Sequence, residues 1–325
     1  MNRKPDINLI IAGNTQISLI PGITSAGQTP DLTFLTPALD SEILVEGECK
    51  SLDVPPMTPD GLPTPSLIAR ACLDISGLET LVVDGGMGIK PKCAYLHTDL
   101  DPARDGRKEM ALPQASLAVS TGRYIGKTLL KNGRSIMISE SIPGGTTTAQ
   151  SVLSLLGLDI KTSSSFRINP TNLKSDVIEE MIQRHGIQND PLKSISRVGD
   201  YTQEIALGII SENEDSKIVL SGGTQMATIY YIASSMKLPV DNLEVWTTKQ
   251  VMKDSRKTME YLVDPDHLRF SRTDLTKSRF DGIRRFEDGY VKEGAGMGGS
   301  MVLAEMEAST ERIIKSIDDV YESFM

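Results

Sequence analysis

Ser135–Leu156 reads SIMISESIPGGTTTAQSVLSLL, and the order of residue types along it decides the fold. Ile136–Ile138 is a short apolar run suited to a buried strand. Glu140 stands in the turn that follows. Then come Gly144-Gly145, three threonines, and an apolar helix from about Ala149. A strand that leaves through glycine into a helix is the repeating unit of a parallel α/β sheet. Ligands of such sheets bind at the carboxyl ends of the strands. The helix start adds unpaired N–H groups and a positive dipole end, both suited to an anion.

The same unit recurs on both sides. Upstream, Ile7–Gly13 (INLIIAG) and Thr80–Asp84 (TLVVD) read as buried strands, the second turning out through Gly85-Gly86-Met87-Gly88. Downstream, Lys217–Leu220 (KIVL) runs into Ser221-Gly222-Gly223-Thr224 and an apolar helix through Ser234. Leu243–Thr247 (LEVWT) is a further strand, and His267–Ser271 a possible one. Helices are expected after Thr64-Pro65, over Ala115–Lys131 with Leu117, Thr121, Ile125 and Leu129 as its stripe, from Asn172 to Gly186, and over Gly199–Ile210. Asn14–Asp31 reads as a polar loop, with extended segments around Leu32–Leu35 and Ile43–Val45. Pro55–Pro65 holds five prolines in eleven residues and reads as an ordered loop or an arm. The end, from about Gly298 to Phe324, reads as one long helix.

The expected fold is therefore α/β: a Rossmann-like open parallel sheet covered by helices. Residues 1–325 form one domain in this reading, with a smaller helical part drawn from about 50–76 and 298–325.

Composition narrows the function. A net charge of -9 disfavours a nucleic-acid binder, which carries a basic face. No apolar run reaches the ~18 residues of a membrane span. The N-terminal MNRKPDINLIIAGN has too short an apolar core for a signal peptide. Cys49, Cys72 and Cys93 are an odd, isolated set, which fits reduced thiols in a cytoplasm. His97, His185 and His267 lie far apart, so no histidine-based metal site is expected.

PGGTTT at Pro143–Thr148 and SGGT at Ser221–Thr224 share one form. Glycine lets backbone approach a ligand, and the hydroxyls add donors. Gly144, Gly145, Thr146, Thr147, Ser221, Gly222 and Gly223 are thus substrate-binding candidates, although a tight strand-to-helix turn looks the same. Neither loop has the G-x-x-x-x-G-K-[ST] pattern, and Gly85–Gly88 lacks G-x-G-x-x-G. Glu140 and Glu293, the latter in YVKEGAGMGGSM, are candidates for a distributed carboxylate pair. Arg167 and Lys174 flank a loop-to-helix start and suit an anion; a solvated surface pair is the alternative. Met87, Met297 and Met301 suit a flat heteroaromatic ring or, more commonly, core filling. Gln28, in the first polar loop, completes the substrate-binding candidates.

In this order the motifs resemble those of nicotinate-nucleotide:dimethylbenzimidazole phosphoribosyltransferases, in the divergent form found in archaea and cyanobacteria. SESIPGGTT at Ser139–Thr147 resembles the family's GEMGIxNTT turn, with Glu140 at its acidic position. KEGAG at Lys292–Gly296 resembles the late G-E-G-x-G turn, which puts Glu293 where the family keeps its base. A second register of that turn places Met297 there instead. VVDGGMG, DPLKSISRVGDYTQEIALG and IVLSGG resemble further family segments in the same order. Gly13-Asn14 stands where the family has aspartate-histidine, and Gly145 where it has asparagine.

The resemblance implies transfer of phosphoribosyl from nicotinate mononucleotide to a benzimidazole-type base, giving an α-ribazole phosphate-like product for the lower ligand of cobalamin. It implies Glu293 as proton acceptor and Glu140 as electrostatic support. The phosphate would lie on Gly145, Thr146, Thr147, Ser221 and Gly222. Neither cofactor nor metal is required, and a cytoplasmic homodimer is expected. The alternatives are a catalytically silent relative that carries or senses a nucleotide or base, and an enzyme for another phosphorylated ribosyl compound.

Overall fold

Alternate residues of the apolar runs serve opposite faces of one sheet. In β1 (Ile7–Ala12), Leu9 and Ile11 join one apolar cluster while Ile10 and Ala12 join another. Both faces are therefore covered, which is why the run is apolar throughout rather than alternating. The structure is a computed structural model that describes residues 4–52 and 55–325. The start of the N-terminal reading, at 1–3, and positions 53 and 54 of the expected helical part lie outside the described residues.

Five further strands complete the sheet: β2 (Thr80–Asp84), β3 (Ile136–Ser141), β4 (Ile218–Ser221), β5 (Leu243–Thr247) and β6 (Leu268–Phe270). Every pairing is parallel, in the order β2-β1-β3-β4-β5-β6. The chain moves to one side of β1 to make β2, then crosses to the other side to make β3. The switch point of the sheet thus lies between the carboxyl ends of β1 and β3, where a crevice is expected. The expected α/β parallel fold is the fold found.

On one face lie α3 (Ala115–Leu129), α4 (Gly145–Leu155), α5 (Thr171–His185), α6 (Pro191–Val198), α7 (Tyr201–Ser211), α8 (Thr224–Ser235) and α9 (Lys249–Leu262). On the other lie α1 (Pro30–Glu46), α2 (Ser66–Ser76) and α11 (Met297–Glu305). A third apolar cluster joins Ile68 and Cys72 of α2 to Ile283 of α10 (Asp281–Arg284), to Met297 and Met301 of α11, and to Ile313 and Ile317 of α12 (Thr310–Ser323). Met297 and Met301 are core here, as is Met87 in the second cluster.

Several local expectations are corrected. Leu32–Leu35 and Ile43–Val45 are helical, within α1. Thr29 caps the Leu32 N–H, Pro30 opens the helix, and Gly47 closes it at φ 75°. Its 3.6-residue period is invisible because Ala38–Leu44 is buried all round. The terminal helix is two helices, since the Ser309 side chain accepts the Arg312 N–H and starts α12 afresh. Helix α4 begins at Gly145 rather than Ala149. Asn172 does not cap α5, which starts at Thr171. The buried face of α3 is Ala118, Gly122, Ile125 and Gly126, with Leu117 exposed, because the two glycines let α7 approach. Helices α6 and α9 were not anticipated. Asp190-Pro191 and Thr248, each an N-cap, were the available signals.

Pro55–Pro65 folds back on itself rather than standing out as an arm. Thr58 and Leu62 share a backbone bond of 2.9 Å, and the Thr64 N–H reaches the Pro56 carbonyl at 3.0 Å. Among the described residues no helix is long and apolar enough to cross a membrane, and no group of three or more His, Cys, Asp or Glu is placed to hold a metal ion. All three cysteines are free.

Candidate functional site

A cavity, partly open to solvent, lies at the carboxyl edge of the sheet beside the switch point. Three helix starts reach it: Gly144-Gly145-Thr146 at α4, Gly223-Thr224-Gln225 at α8, and Gly294-Ala295 before α11. The proline loop contributes Pro56, Met57, Thr58, Thr64 and Pro65, and Ser163-Ser164-Ser165 form another wall.

Glu140 and Glu293 both line this cavity. Glu140 is the penultimate residue of β3, and its Oε2 accepts the Ile142 N–H at 3.0 Å. Burial raises its pKa well above the usual carboxylate value, and the charges of Asp200, Glu293 and Asp40 push the same way. Glu293 accepts the Gly298 N–H at 2.9 and 3.1 Å through its two oxygens. Burial pushes it up to about 8, against the pull of that hydrogen bond.

The backbone that presents Glu293 is held under strain. Val291 and Ala295 have φ of 43° and 51°, rare for residues with a Cβ. Ser221 holds the turn in place: its Oγ donates to the Gly296 carbonyl and accepts the Gly299 N–H, both at 2.9 Å. A Cβ on Gly299 would lie 2.2 Å from that Oγ, so glycine is required for the clamp.

Of the sequence candidates, Glu140, Glu293, Gly144, Gly145, Thr146 and Gly223 meet at the cavity. Gly222 lies behind its wall, against Met226. Ser221 clamps the late glycine turn instead of facing the cavity. Thr147 is buried, with no hydrogen-bond partner for its hydroxyl. Met87 packs in the core, and Gln28 reaches the Thr58 carbonyl at 3.4 Å, beside the cavity wall. Lys174 is fully buried behind the serine wall, donating to Thr162 Oγ1 at 2.7 Å and the Ser163 carbonyl at 2.9 Å. Arg167 lies over the Tyr290 ring.

The sequence reading missed Asp40, Lys292 and Gln225, all of which line the cavity. Lys292 donates to the Ser164 carbonyl at 2.9 Å and stands 3.6 Å from Asp254. Gln225 fills the space beside Gly145, where a Cβ would come 2.0 Å from its Oε1. Lys292 adjoins Glu293 in sequence and was within reach. Asp40 was hidden by the misread helix.

No protein-family model matches the chain. It is 39% identical over 326 residues to the UPF0284 protein of Thermoplasma volcanium, covering 100% of this chain and 96% of that one. It is 37% identical to the UPF0284 protein of Saccharolobus solfataricus, with 98% and 92% covered, and 36% identical to that of Pyrococcus furiosus, with 98% of each covered. Among solved structures, the nicotinate-nucleotide-dimethylbenzimidazole phosphoribosyltransferase from Thermus thermophilus superposes with a TM-score of 0.62 at 15% identity, over 98% of this chain and 83% of that one. CobT from the same organism gives a TM-score of 0.63 at 16% identity, over 98% and 84%. At such identities the likeness is one of fold.

Proposed function

The chain belongs to the UPF0284 protein family, and we propose that it is a pentosyltransferase, moving phosphoribosyl from nicotinate mononucleotide to a benzimidazole-type base. One observation carries the reading: two carboxylates from distant parts of the chain, Glu140 and Glu293, line one cavity. The fold shared with the phosphoribosyltransferase from Thermus thermophilus supports it.

The chemistry follows from the charges. The ring nitrogen of the donor is cationic, so nicotinate departs from C1′ with the bonding electron pair and needs no proton. A ring nitrogen of the acceptor forms the new bond to C1′, and the proton on its other nitrogen must leave. Glu293 accepts that proton. Burial, by raising it to about 8, makes it a stronger base than an exposed carboxylate. Positive charge develops on the ribose as nicotinate leaves, and Glu140 stabilises it. A cationic donor supplies the charge that buried Glu140 lacks. The 5′-phosphate lies on the starts of α4 and α8, at Gly144, Gly145, Thr146 and Gly223, which line the cavity at the positive dipole ends of the two helices.

A second reading, a catalytically silent binder of base or nucleotide, rests on Asn14. At the end of β1, where the resemblance expects aspartate-histidine, Asn14 is spent on structure: it donates to the Phe34 carbonyl at 3.1 Å and accepts the Gly88 N–H at 2.8 Å. Incubation with nicotinate mononucleotide and dimethylbenzimidazole, followed by assay of free nicotinate, separates the two. Release that depends on both substrates and on Glu293 supports the transferase. Binding without release establishes the silent relative.

A further inference from the structure

Asp40 is a buried charge at the cavity that the transfer scheme leaves unused. It lies within α1, is 3% exposed, and lines the cavity beside Thr36, Thr64 and Ser141. The Thr64 hydroxyl donates to its Oδ1 and the Ser141 hydroxyl to its Oδ2, each at 2.6 Å. A hydroxyl has one proton, so each has committed its donor to Asp40 and offers only lone pairs elsewhere. Thr36 has likewise spent its proton on the Leu32 carbonyl, at 2.9 Å.

Around Asp40 the hydroxyls of Thr36, Thr64 and Ser141 therefore present acceptors without donors. Glu140, which feels the charge of Asp40, and Glu293 line the same cavity and are carboxylates as well. The cation that lines the cavity, Lys292, has its amine committed to the Ser164 and Phe166 carbonyls and to Asp254. Ser66 adds a third hydroxyl, and a carboxylate with about four acceptor sites still has capacity for a further donor. A ligand with a methyl group here would leave that capacity dry and unfilled, whereas one with an N–H or O–H would satisfy it.

We propose that Asp40, with Ser141 and Thr36 beside it, selects an acceptor base that bears an exocyclic N–H or O–H donor over one that bears methyl groups. This rests on the transferase reading, whose acceptor site it specifies. Burial raises Asp40 above the usual carboxylate value, against the pull of the Ser141, Thr64 and Ser66 hydroxyls, and a donor from the ligand adds to that pull.

The test uses 5-aminobenzimidazole and 5-methylbenzimidazole, a pair of nearly equal shape. With the full-length protein and nicotinate mononucleotide, the expected result is a preference for the amino base of about tenfold to a hundredfold in kcat/KM, measured by nicotinate release. Asp40→Leu should remove or invert that preference. Asp40→Asn keeps the shape and should reduce it. Should the leucine variant fail to fold, the wild-type ratio and the asparagine variant still decide. Equal or better use of the methyl base by the wild type overturns the role of Asp40 while leaving the transferase reading intact. If neither base yields nicotinate, the transferase reading fails, and calorimetric affinities decide the rest. An amino preference that Asp40→Asn weakens supports the selection, and equal affinities or no binding overturn it.

Discussion

Glu140 and Glu293 are joined by two consecutive glycines. A Cβ built on Gly222 would lie 3.8 Å from Glu140 Oε1, and one built on Gly223 would lie 3.6 Å from Glu293 Cβ. The turn after β4 thus passes between a carboxylate from β3 and one from the strained segment before α11. A Cβ at either position would meet its carboxylate residue in ordinary van der Waals contact. The pair is far apart in sequence, so only the sheet order brings it together.

Glu293→Gln keeps the shape of the side chain and an oxygen for the Gly298 N–H while removing the base. The expected outcome is a folded protein whose nicotinate release falls by about a hundredfold or more. Glu140→Gln should also lower turnover, through the ribose charge rather than the proton. Its effect should persist with acceptor bases of lower pKa, whereas that of Glu293→Gln should shrink. Steady-state rates with a base series check this. Undiminished turnover in Glu293→Gln removes it as the base.

The pH dependence of turnover follows from the same residue. Glu293 acts only when deprotonated, and burial places that transition at about 8. The rate should therefore rise with pH through the neutral range and level off above about 8, instead of being flat above about pH 5 as with an ordinary carboxylate. A rate profile measured from about pH 5 to about pH 9 checks it. A plateau reached by about pH 6 would rule out Glu293 in this role.

Lys174 supports the cavity from behind. Burial pulls its ammonium down to about 7, opposed by the charge of Asp254. Its bonds to Thr162 and Ser163 hold the wall Ser163–Ser165 in place. Lys174→Met should raise the donor KM by about tenfold or more, a hydrogen bond to a charged group being worth about 1.5–3 kcal/mol. The kcat should change less. A change confined to kcat would argue against a supporting role.

How far the site was legible depended on where each residue sits. Glu140, Gly144, Gly145 and Gly223 could be read because strand, glycine and helix follow one another locally, and that order alone fixes them at a sheet edge. Glu293 could be singled out as a carboxylate in a glycine-rich segment, but its role as base needed the resemblance, since nothing local ties KEGAG to a cavity. Asp40 could not be read. Its helix is buried all round, so the periodicity that marks amphipathic helices is absent, and Pro37 within it speaks against a helix. Ser221 was read as a ligand group because its sequence context matches that of the α4 turn. Only the packing of Gly296 and Gly299 shows that its hydroxyl is spent on backbone.

Helix α3 meets α7 through glycine. A Cβ on Gly122 would lie 2.1 Å from the Ile205 carbonyl oxygen, a backbone atom that cannot move alone. Gly122→Ala should cost about 2–4 kcal/mol through overpacking, at the upper end of such changes. Gly61 gives the contrast. It has φ of 74° with no atom within 4 Å of a new Cβ, so Gly61→Ala should cost only about 1–2 kcal/mol of backbone strain. Denaturant unfolding of the two variants checks the order, and equal losses would refute the close approach.

Glu204 makes the stability of the fold depend on pH. It lies in the first turn of α7, is 1% exposed, and has one oxygen without a hydrogen-bond partner. Burial, then the charge of Asp200, raises it from 4.5 to about 8. The folded state therefore holds its proton more tightly than the unfolded chain. The stability this contributes is full below about pH 4.5 and is lost as pH rises through about 8. Glu204→Gln carries no titrating proton and leaves the shape unchanged. Its melting temperature should gain on that of the wild type between about pH 5 and about pH 9, by an amount corresponding to at most a few kcal/mol. Parallel curves for the two proteins across that range would show that folding does not raise the pKa of Glu204.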